Sequence, residues 1–218
     1  MTLLVEPLVT MRGAIEVPSV KGICQRGVLL GAIADGESEV RGFGRAADTE
    51  SAISVVRQLG VEVTDVSDDV VRIQGRGLRG LVAPAEPLDC GNAGTLLRLL
   101  SGILAGQEGE FTLIGDESLS SRPQERIAVP LREMGATLDS TDGHAPLTIR
   151  GGGLQPIEYE LPVASAQVKS AILLAGLFAG DGPTTVVEPA VTRDHTAHAH
   201  GDGRACHSRA REVERLAG

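Results

Sequence analysis

Polar side chains suited to anion binding recur at the starts of three apolar stretches of this chain. The stretches are "SVKGICQRGVLL", "CGNAGTLLRLLSGILAG" and "ASAQVKSAILL". The first turn of a helix leaves backbone N–H groups unpaired and carries a partial positive charge, so each start suits a phosphate or a carboxylate. The pattern therefore predicts a binding site for an anionic small molecule. The polar candidates at these starts are Lys21, Arg26, Asn92, Gly94, Thr95, Ser165 and Gln167.

Other cations along the chain have less specific interpretations. Arg122 in "SLSSRPQER" and Arg193 in "AVTRDHT" stand in loops before second helices. A lone arginine such as Arg193 is more often a surface residue or an ion-pair partner, and Lys169 is more often a snorkelling stem than a ligand. Arg98 lies in the second turn of an otherwise apolar helix, where a buried guanidinium needs an anionic partner. Recurrence of the same polar element at equivalent points of a repeat favours binding.

The elements that must position these residues repeat about every 70 residues, a period that indicates tandem subdomains. Three apolar helices stop near Gly36, Gly106 and Gly180, and each runs into a β-type stretch. In the first two repeats a second helix follows ("DTESAISVVRQLG" and "SSRPQERIAVPLREMG"), and then two short strands. The unit is therefore strand, helix, strand, helix, strand, strand (βαβαββ), which predicts an α/β (α+β) fold. The expected helix N-caps are Asp48 or Thr49, Asn92, Ser121 and Ser165.

The third unit departs from this pattern after its strand "TTVVEP". The text "AHAHGDG" and "ACHSRAREVERLAG" offers no apolar stripe wide enough for a second helix, and no strand is expected there. The four histidines after Arg193 could ligate zinc together with Cys206, but their spacing matches no standard zinc pattern. We therefore expect no metal site, and we interpret the residues after Thr196 as a tail without tertiary partners.

Composition argues against several classes of function. The formal net charge is −9, with one Tyr, three Phe and no Trp, whereas nucleic-acid binding calls for a basic surface and stacking rings. Three cysteines without a CxxC pattern fit a reducing cytoplasm. The longest apolar run, "AILLAGLFAG", is too short for a bilayer, which needs about 20 residues, and the start "MTLLVEPLV" has no basic signal-peptide region. We expect a soluble cytoplasmic protein that binds neither nucleic acid nor membrane.

Long collinear stretches of the chain resemble the 5-enolpyruvylshikimate-3-phosphate (EPSP) synthase family. They include "RGFGRAADTESAISVVRQLGVEV", "LDCGNAGTLLRLL", "GDESLSSRPQERIAVPLREMGA", "PVASAQVKSAILLAGLFAG" and "EPAVTRDHT". The resemblance implies an enolpyruvyl transferase (inside-out α/β barrel) fold, in which each of two domains has three βαβαββ units about a pseudo-threefold axis. Residues 15–196 would form the shikimate-3-phosphate-binding domain with its third unit incomplete. Residues 1–14 would be a short strand of the second domain, and residues 197–218 an aberrant, disordered tail.

What the resemblance implies for function is transfer of the enolpyruvyl group from phosphoenolpyruvate to the 5-hydroxyl of shikimate 3-phosphate, with release of phosphate and no cofactor. This is a step of the shikimate pathway, which leads to chorismate and the aromatic amino acids. Lys21 would lie at the junction of the two substrates, and Arg26 would pair with the shikimate carboxylate. The other residues implied on the shikimate-3-phosphate side are Ser165, Ala166, Gln167 and Arg193. Those implied on the phosphoenolpyruvate side are Asn92, Gly94, Thr95 and Arg122.

The first motif of the chain departs from the pattern of the family. "SVKGICQR" stands where Gly-Asp-Lys-Ser-Ile-Ser-His-Arg is usual, so Gly22 replaces a serine whose hydroxyl touches the shikimate phosphate. Loss of one hydrogen bond to a charged ligand costs about 1.5–3 kcal/mol. Cys24 and Gln25 also differ from the usual text, and Gln124 replaces a methionine. We therefore expect weak binding of shikimate 3-phosphate.

The second domain that the resemblance implies would hold the proton-transferring acids and further groups that clamp phosphoenolpyruvate. We therefore expect these 218 residues alone to carry only a half-site without turnover, and a separate chain with the second half is a partner that the resemblance allows. The rival from another class is a non-catalytic or decayed binding remnant. The rival enzyme is UDP-N-acetylglucosamine enolpyruvyl transferase, which shares the fold, but its loop cysteine is absent near "GDESLSSRP".

Overall fold

Three successive units of helices and strands make up the fold. The structure, a computed structural model, describes residues 19–193 and 195–196, and it describes the backbone alone of residues 206–210. The strand expected at residues 1–14 therefore lies outside the described residues. The first unit has three strands in the order β1-β3-β2, and both pairs are antiparallel. Its elements are α1 (Lys21–Ile33), β1 (Asp35–Arg41), α2 (Ala47–Gln58), β2 (Glu62–Ser67) and β3 (Val70–Arg76).

The second unit contains the complete βαβαββ repeat. Its elements are β4 (Leu88–Asp89), α3 (Gly94–Leu104), β5 (Glu110–Ile114), α4 (Glu117–Ser120), α5 (Glu125–Glu133), β6 (Thr137–Thr141) and β7 (His144–Arg150). The sheet has the order β4-β5-β7-β6, with β4 parallel to β5 and the other two pairs antiparallel. The short helix α4 was not expected from the sequence. Its N-cap is Asp116, whose side chain accepts a hydrogen bond from the backbone N–H of Leu119.

The third unit follows the repeat as far as its second strand. It consists of β8 (Glu158–Glu160), α6 (Ala166–Gly176), β9 (Thr184–Glu188) and β10 (Cys206–Ala210), and its sheet has the order β8-β9-β10. The expectation of no strand after Thr196 is wrong for Cys206–Ala210, which pair with β9. β10 occupies the place beside β9 that β7 occupies beside β5, but it runs parallel to its neighbour, whereas β7 is antiparallel. An unpaired edge of β9 accepts a strand in either direction, because its backbone groups carry no sequence information.

The first helices of the three units, α1, α3 and α6, contact one another at the centre of the molecule. In α3 the side chains of Leu96, Leu97, Leu99 and Leu100 are fully buried, as expected for a helix that is apolar on all sides. Gly102 permits the close crossing with α6, because a Cβ there would lie 2.2 Å from the backbone oxygen of Ala171. The crossing brings the N-terminal ends of α3 and α6 together.

Only one of the expected helix caps is confirmed. The hydroxyl of Ser165 accepts a hydrogen bond from the backbone N–H of Val168 at 3.4 Å at the start of α6. The helices α1, α2, α3 and α5 begin at residues whose side chains form no cap hydrogen bond, so the prediction was wrong for Asp48, Thr49, Asn92 and Ser121 as N-caps. Thr49 nevertheless contributes to the start of α2, because its hydroxyl oxygen accepts a hydrogen bond from the backbone N–H of Ala46 at 3.0 Å. The observed N-caps of α2, α3 and α5 are Ala46, Ala93 and Gln124.

The ends of the second helices agree with the sequence pattern. Leu59 and Met134 are the C-caps of α2 and α5, and Gly60 and Gly135 follow them with φ of 86° and 104°. Glycine adopts this left-handed conformation without the steric cost that a Cβ brings. Among the described residues, no helix is both long and apolar enough to cross a membrane.

Candidate functional site

A cavity of about 370 Å³ lies where α1 and α6 begin, beside the first turn of α3. Seven of the eleven candidate residues line it, and Val20 and His195 line it as well. Among the described residues that line it, none is an aspartate or a glutamate, and the charged side chains of Lys21, Arg26 and Arg193 are cationic. The candidate residues in the cavity are Lys21, Gly22, Arg26, Thr95, Ala166, Gln167 and Arg193.

Arg26 is a buried cation on the wall of this cavity. Its Nε donates to Thr196 Oγ1 at 2.7 Å, one terminal nitrogen donates to the Gly22 carbonyl at 2.7 Å, and the other donates to Ser170 Oγ at 3.1 Å. All three acceptors are neutral, and burial lowers the pKa of the guanidinium from its ordinary value. A guanidinium has five N–H donors, so two remain for a ligand. The site therefore favours an anion that neutralises Arg26.

Lys21 stands at the exposed rim of the cavity. Its ammonium lies 2.7 Å from a carboxylate oxygen of Asp48 in the first turn of α2. Gln25, one turn further along α1, donates through its amide to the backbone oxygen of Asp48 at 3.0 Å. These two contacts fix the start of α1 against α2. An exposed ion pair of this kind contributes little stability, so Lys21 can exchange Asp48 for a ligand at small cost.

Gln167 connects the cavity to a buried arginine behind it. Its amide nitrogen donates to Thr95 Oγ1 at 2.9 Å, and its amide oxygen accepts from Arg98 at 2.6 Å. Arg98 also donates from Nε to the amide oxygen of Gln124 at 3.1 Å. Both of these acceptors are neutral amides, so the expectation of an anionic partner for Arg98 stays a prediction. The amide oxygen of Gln124 supplies this acceptor, whereas the methionine that the resemblance implies at this position would provide only a weak one.

A second cluster, formed by Asn92, Asp116 and Arg122, lies next to Arg98. One terminal nitrogen of Arg122 donates to the amide oxygen of Asn92, and the amide nitrogen of Asn92 donates to Asp116 at 2.8 Å. The amide of Asn92 is thus held from both sides, which explains why it does not cap α3. The backbone N–H of Leu119 and the Asn92 amide hold the pKa of Asp116 below its ordinary value, with a smaller contribution from Arg122.

Gly94, at the start of α3, lies between Arg98 and the cluster of Asn92, Asp116 and Arg122. A Cβ on Gly94 would lie 3.0 Å from a terminal nitrogen of Arg98 and 3.2 Å from one of Arg122. Burial, followed by the charges of Arg126 and Arg122, lowers the pKa of Arg98. The absence of a side chain at Gly94 therefore leaves two arginines close to the first turn of α3, a place where a phosphate is favourable.

The third unit carries the remaining candidates on the loop before α6 and the segment after β9. Ser165 lines a neighbouring groove rather than the cavity, whereas Ala166 lines the cavity. Lys169 is only 1% exposed and lies 2.7 Å from Glu188, so the interpretation as a snorkelling stem is wrong. Glu188 also accepts a hydrogen bond from the hydroxyl of Thr192, next to the exposed Arg193.

Several residues of the site were missed by sequence reasoning. Thr196 and Ser170 hold Arg26, and Gln124 holds Arg98, but nothing in the local pattern distinguishes their side chains from ordinary helix and loop residues. His195 was considered only as a metal ligand, yet it lines the cavity. Asp116 was recognisable, because an aspartate before "ESLS" is a typical N-cap signal. The described residues contain no cluster of three or more His, Cys, Asp or Glu that could hold a metal ion.

A cysteine nucleophile is not part of this arrangement among the described residues. Cys90 precedes the "GNAGT" turn and is fully buried, and burial raises the pKa of its thiol to about 12. Cys24 is buried in α1 and accepts a weak hydrogen bond from the backbone of Gly44 at 3.5 Å. The raised pKa of Cys90 keeps that thiol protonated and unreactive.

Comparison with known proteins assigns the chain to a family. The family model described as EPSP synthase (3-phosphoshikimate 1-carboxyvinyltransferase) matches residues 5–199. The chain belongs to the EPSP synthase family. This confirms the resemblance and the fold class that it implied, and the comparisons do not favour UDP-N-acetylglucosamine enolpyruvyl transferase.

Relatives in this family agree on the name and on the extent of the match. The chain is 52% identical over 195 residues to a 3-phosphoshikimate 1-carboxyvinyltransferase of Salinibacter ruber, which covers 88% of this chain and 45% of that relative. It is 56% identical over 188 residues to the 3-phosphoshikimate 1-carboxyvinyltransferase of Herpetosiphon aurantiacus, a match that covers 85% of this chain and 43% of that relative. A solved EPSP synthase structure from Acinetobacter baumannii superposes with a TM-score of 0.82 at 43% identity, over 90% of this chain and 48% of that chain. The chain thus spans less than half the length of these relatives.

Proposed function

We propose that the cavity binds shikimate 3-phosphate, and that the chain contributes this half-site to a 3-phosphoshikimate 1-carboxyvinyltransferase. The observation that carries the proposal is the state of Arg26, a buried cation held only by neutral acceptors on the wall of a cavity to which the described residues contribute no carboxylate. Desolvating a charge without an opposite charge is unfavourable. A dianionic or trianionic metabolite in the cavity would supply the missing charge.

In the proposed complex, the shikimate carboxylate pairs with the two free N–H groups of Arg26. A guanidinium can hold a carboxylate through two parallel hydrogen bonds. The 3-phosphate lies at the start of α6, where Ser165, the backbone of Ala166 and the side chain of Arg193 surround it. Gln167 packs against the ring, and its bonds to Thr95 and Arg98 keep its side chain in place.

Phosphoenolpyruvate would bind on the side of α3, close to Lys21. Its phosphate would face Arg122, next to the space left by Gly94, with Asn92 and Thr95 nearby. Lys21 would lie between the two substrates and release Asp48 to contact phosphoenolpyruvate. Four cationic side chains and the N-terminal ends of helices then surround two anions, which is the electrostatic arrangement that such a transfer needs.

The reaction itself requires proton transfers that this cavity does not provide. The 5-hydroxyl oxygen bonds to C2 of phosphoenolpyruvate, the hydroxyl loses its proton, and C3 gains one to give a tetrahedral adduct. Loss of a proton from C3 and departure of phosphate then restore the double bond. These steps need a general acid and base, and the described lining of the cavity contributes no aspartate or glutamate. We therefore expect these 218 residues alone to bind shikimate 3-phosphate without turnover. A separate chain that carries the second half is a proposed partner, and the proposed location is the cytoplasm.

Titration of the purified chain with shikimate 3-phosphate, followed by NMR chemical-shift changes, tests the proposal. We expect a dissociation constant on the order of 1 mM, loss of binding in Arg26→Gln, and little change in the matched control Arg76→Gln. Arg76 is an exposed arginine at the end of β3 that does not line the cavity. Binding that survives in Arg26→Gln would contradict the proposal. Phosphate release from both substrates would contradict the expected lack of turnover.

A further inference from the structure

Arg26, Ser170 and Thr196 form a closed ring of hydrogen bonds on the buried side of the cavity. Arg26 donates to Thr196 at 2.7 Å and to Ser170 at 3.1 Å, and the hydroxyl of Thr196 donates to Ser170 at 2.7 Å. Thr196 is 2% exposed and Ser170 is 1% exposed. The ring joins α1, α6 and the segment after β9, which are far apart in the sequence.

We propose that Thr196, together with Ser170, is a positioning residue that fixes the guanidinium of Arg26 for a carboxylate in the cavity. A long arginine side chain has many rotamers, and holding one of them costs conformational entropy. Thr196 accepts from Nε and Ser170 from one terminal nitrogen, so both the plane and the rotation of the guanidinium are set. The two N–H groups left over then have fixed directions before a ligand arrives, which lowers the entropic cost of binding.

The same arrangement places Arg193 and His195. The segment after β9 is attached at one end by Thr192, which donates to Glu188, and at the other end by Thr196. Lys169 of α6 in turn donates a hydrogen bond to Glu188 at 2.7 Å. The residues between these two attachments include both side chains that the segment contributes to the cavity. Thr196 therefore couples the third unit to the cation of the first unit.

The role assigned to Thr196 depends on its hydroxyl rather than on its volume. Thr196→Val keeps the shape but removes the acceptor for Nε and the donor to Ser170, whereas Thr196→Ser keeps both. Thr184→Val is a matched control in the same unit, because Thr184 is 2% exposed and its hydroxyl has no hydrogen-bond partner in the described structure. The second test variant is Ser170→Ala, which removes the acceptor for one terminal nitrogen of Arg26 and leaves the bond from Arg26 Nε to Thr196.

The first measurement uses the full chain without ligand. The Nε–Hε signal of Arg26, assigned by its loss in Arg26→Lys, reports the bond to Thr196 through its shift and its exchange with water. We expect exchange at least about tenfold faster in Thr196→Val and unchanged in Thr196→Ser and Thr184→Val. If Thr196→Val does not fold, Ser170→Ala takes its place, with faster exchange expected for the terminal N–H group of Arg26 that donates to Ser170. Equal exchange rates in the wild type and the test variant would overturn the positioning role.

The second measurement rests on the proposed function and uses shikimate 3-phosphate and its C1 carboxamide. We expect Thr196→Val to weaken binding of shikimate 3-phosphate about tenfold, which corresponds to about 1.4 kcal/mol, and to leave the carboxamide nearly unaffected. Equal losses for both ligands would contradict positioning of Arg26 for the carboxylate. If the wild type binds neither ligand while the Nε–Hε result holds, the proposed substrate is wrong and the positioning of Arg26 stands.

Discussion

Replacing Gly22 by serine tests whether the first turn of α1 contacts the phosphate of the proposed substrate. Gly22 lines the cavity at the second position of α1, where the family pattern has serine. A Cβ added there would lie 3.5 Å from a terminal nitrogen of Arg26, which is ordinary van der Waals contact. The serine side chain therefore fits without displacing Arg26, and its hydroxyl can reach into the cavity.

Two effects of this substitution have to be separated. A hydrogen bond from the new hydroxyl to a charged phosphate contributes about 1.5–3 kcal/mol, which is about a 10- to 150-fold gain in affinity. Removing a glycine from a helix also stabilises the fold, by about 0.5 kcal/mol for serine and about 1 kcal/mol for alanine. Gly22→Ala is the matched control, because it adds the Cβ and the helix propensity without the hydroxyl.

Calorimetric titration with shikimate 3-phosphate and urea unfolding of the three proteins make the comparison. The expected order of affinity is serine above alanine and glycine, with the last two nearly equal. The expected order of the free energy of unfolding is alanine, then serine, then glycine. Equal affinities for Gly22→Ser and Gly22→Ala would refute a contact between the first turn of α1 and the phosphate at the start of α6. Lower stability for both variants would refute the reasoning about space around Gly22.

Two further predictions concern the groups that support the site. Lys169→Met leaves Glu188 buried without its ammonium partner and is expected to lower the free energy of unfolding by about 3–5 kcal/mol. The double variant Lys169→Met/Glu188→Met should recover most of this loss in urea unfolding. A double variant that is no more stable than Lys169→Met alone would contradict the pairing. The folded-state pKa of Asp116 is lowered, so its contribution is present above its ordinary pKa of 3.8 and is lost as the pH falls through the lowered value. Asp116→Asn should therefore lower the melting temperature at pH 7 but not at the most acidic pH, and an equal deficit at both pH values would contradict this cause.

Elements with a strong local signal could be predicted from the sequence. The two short strands expected after each second helix are present as β2 and β3 and as β6 and β7, and the second helices end at Leu59 and Met134 with glycine after each. The apolar pattern of α3 predicted its burial on all sides. Seven of the candidate residues meet in one cavity although they are distant in the sequence. Most of them could be found because the start of each repeated helix was recognisable by itself.

Features that depend on a distant partner could not be predicted. Asn92 has the chemistry of an N-cap, but Arg122 and Asp116 take up its amide instead. Lys169 reads as a solvated stem until β9 brings Glu188 next to it. Cys206–Ala210 have little strand character of their own, and they pair because β9 offers an unpaired edge.

The amino-acid sequence by itself therefore determined the repeating units, the places where the second helices end, and the cationic character of the site. Each of these follows from local periodicity, helix termini and turn residues, which act over a few neighbouring positions. The tertiary structure alone decided which acceptor holds each arginine. Those partners lie up to 170 positions away, and only the crossing of α1, α3 and α6 brings them within hydrogen-bond distance.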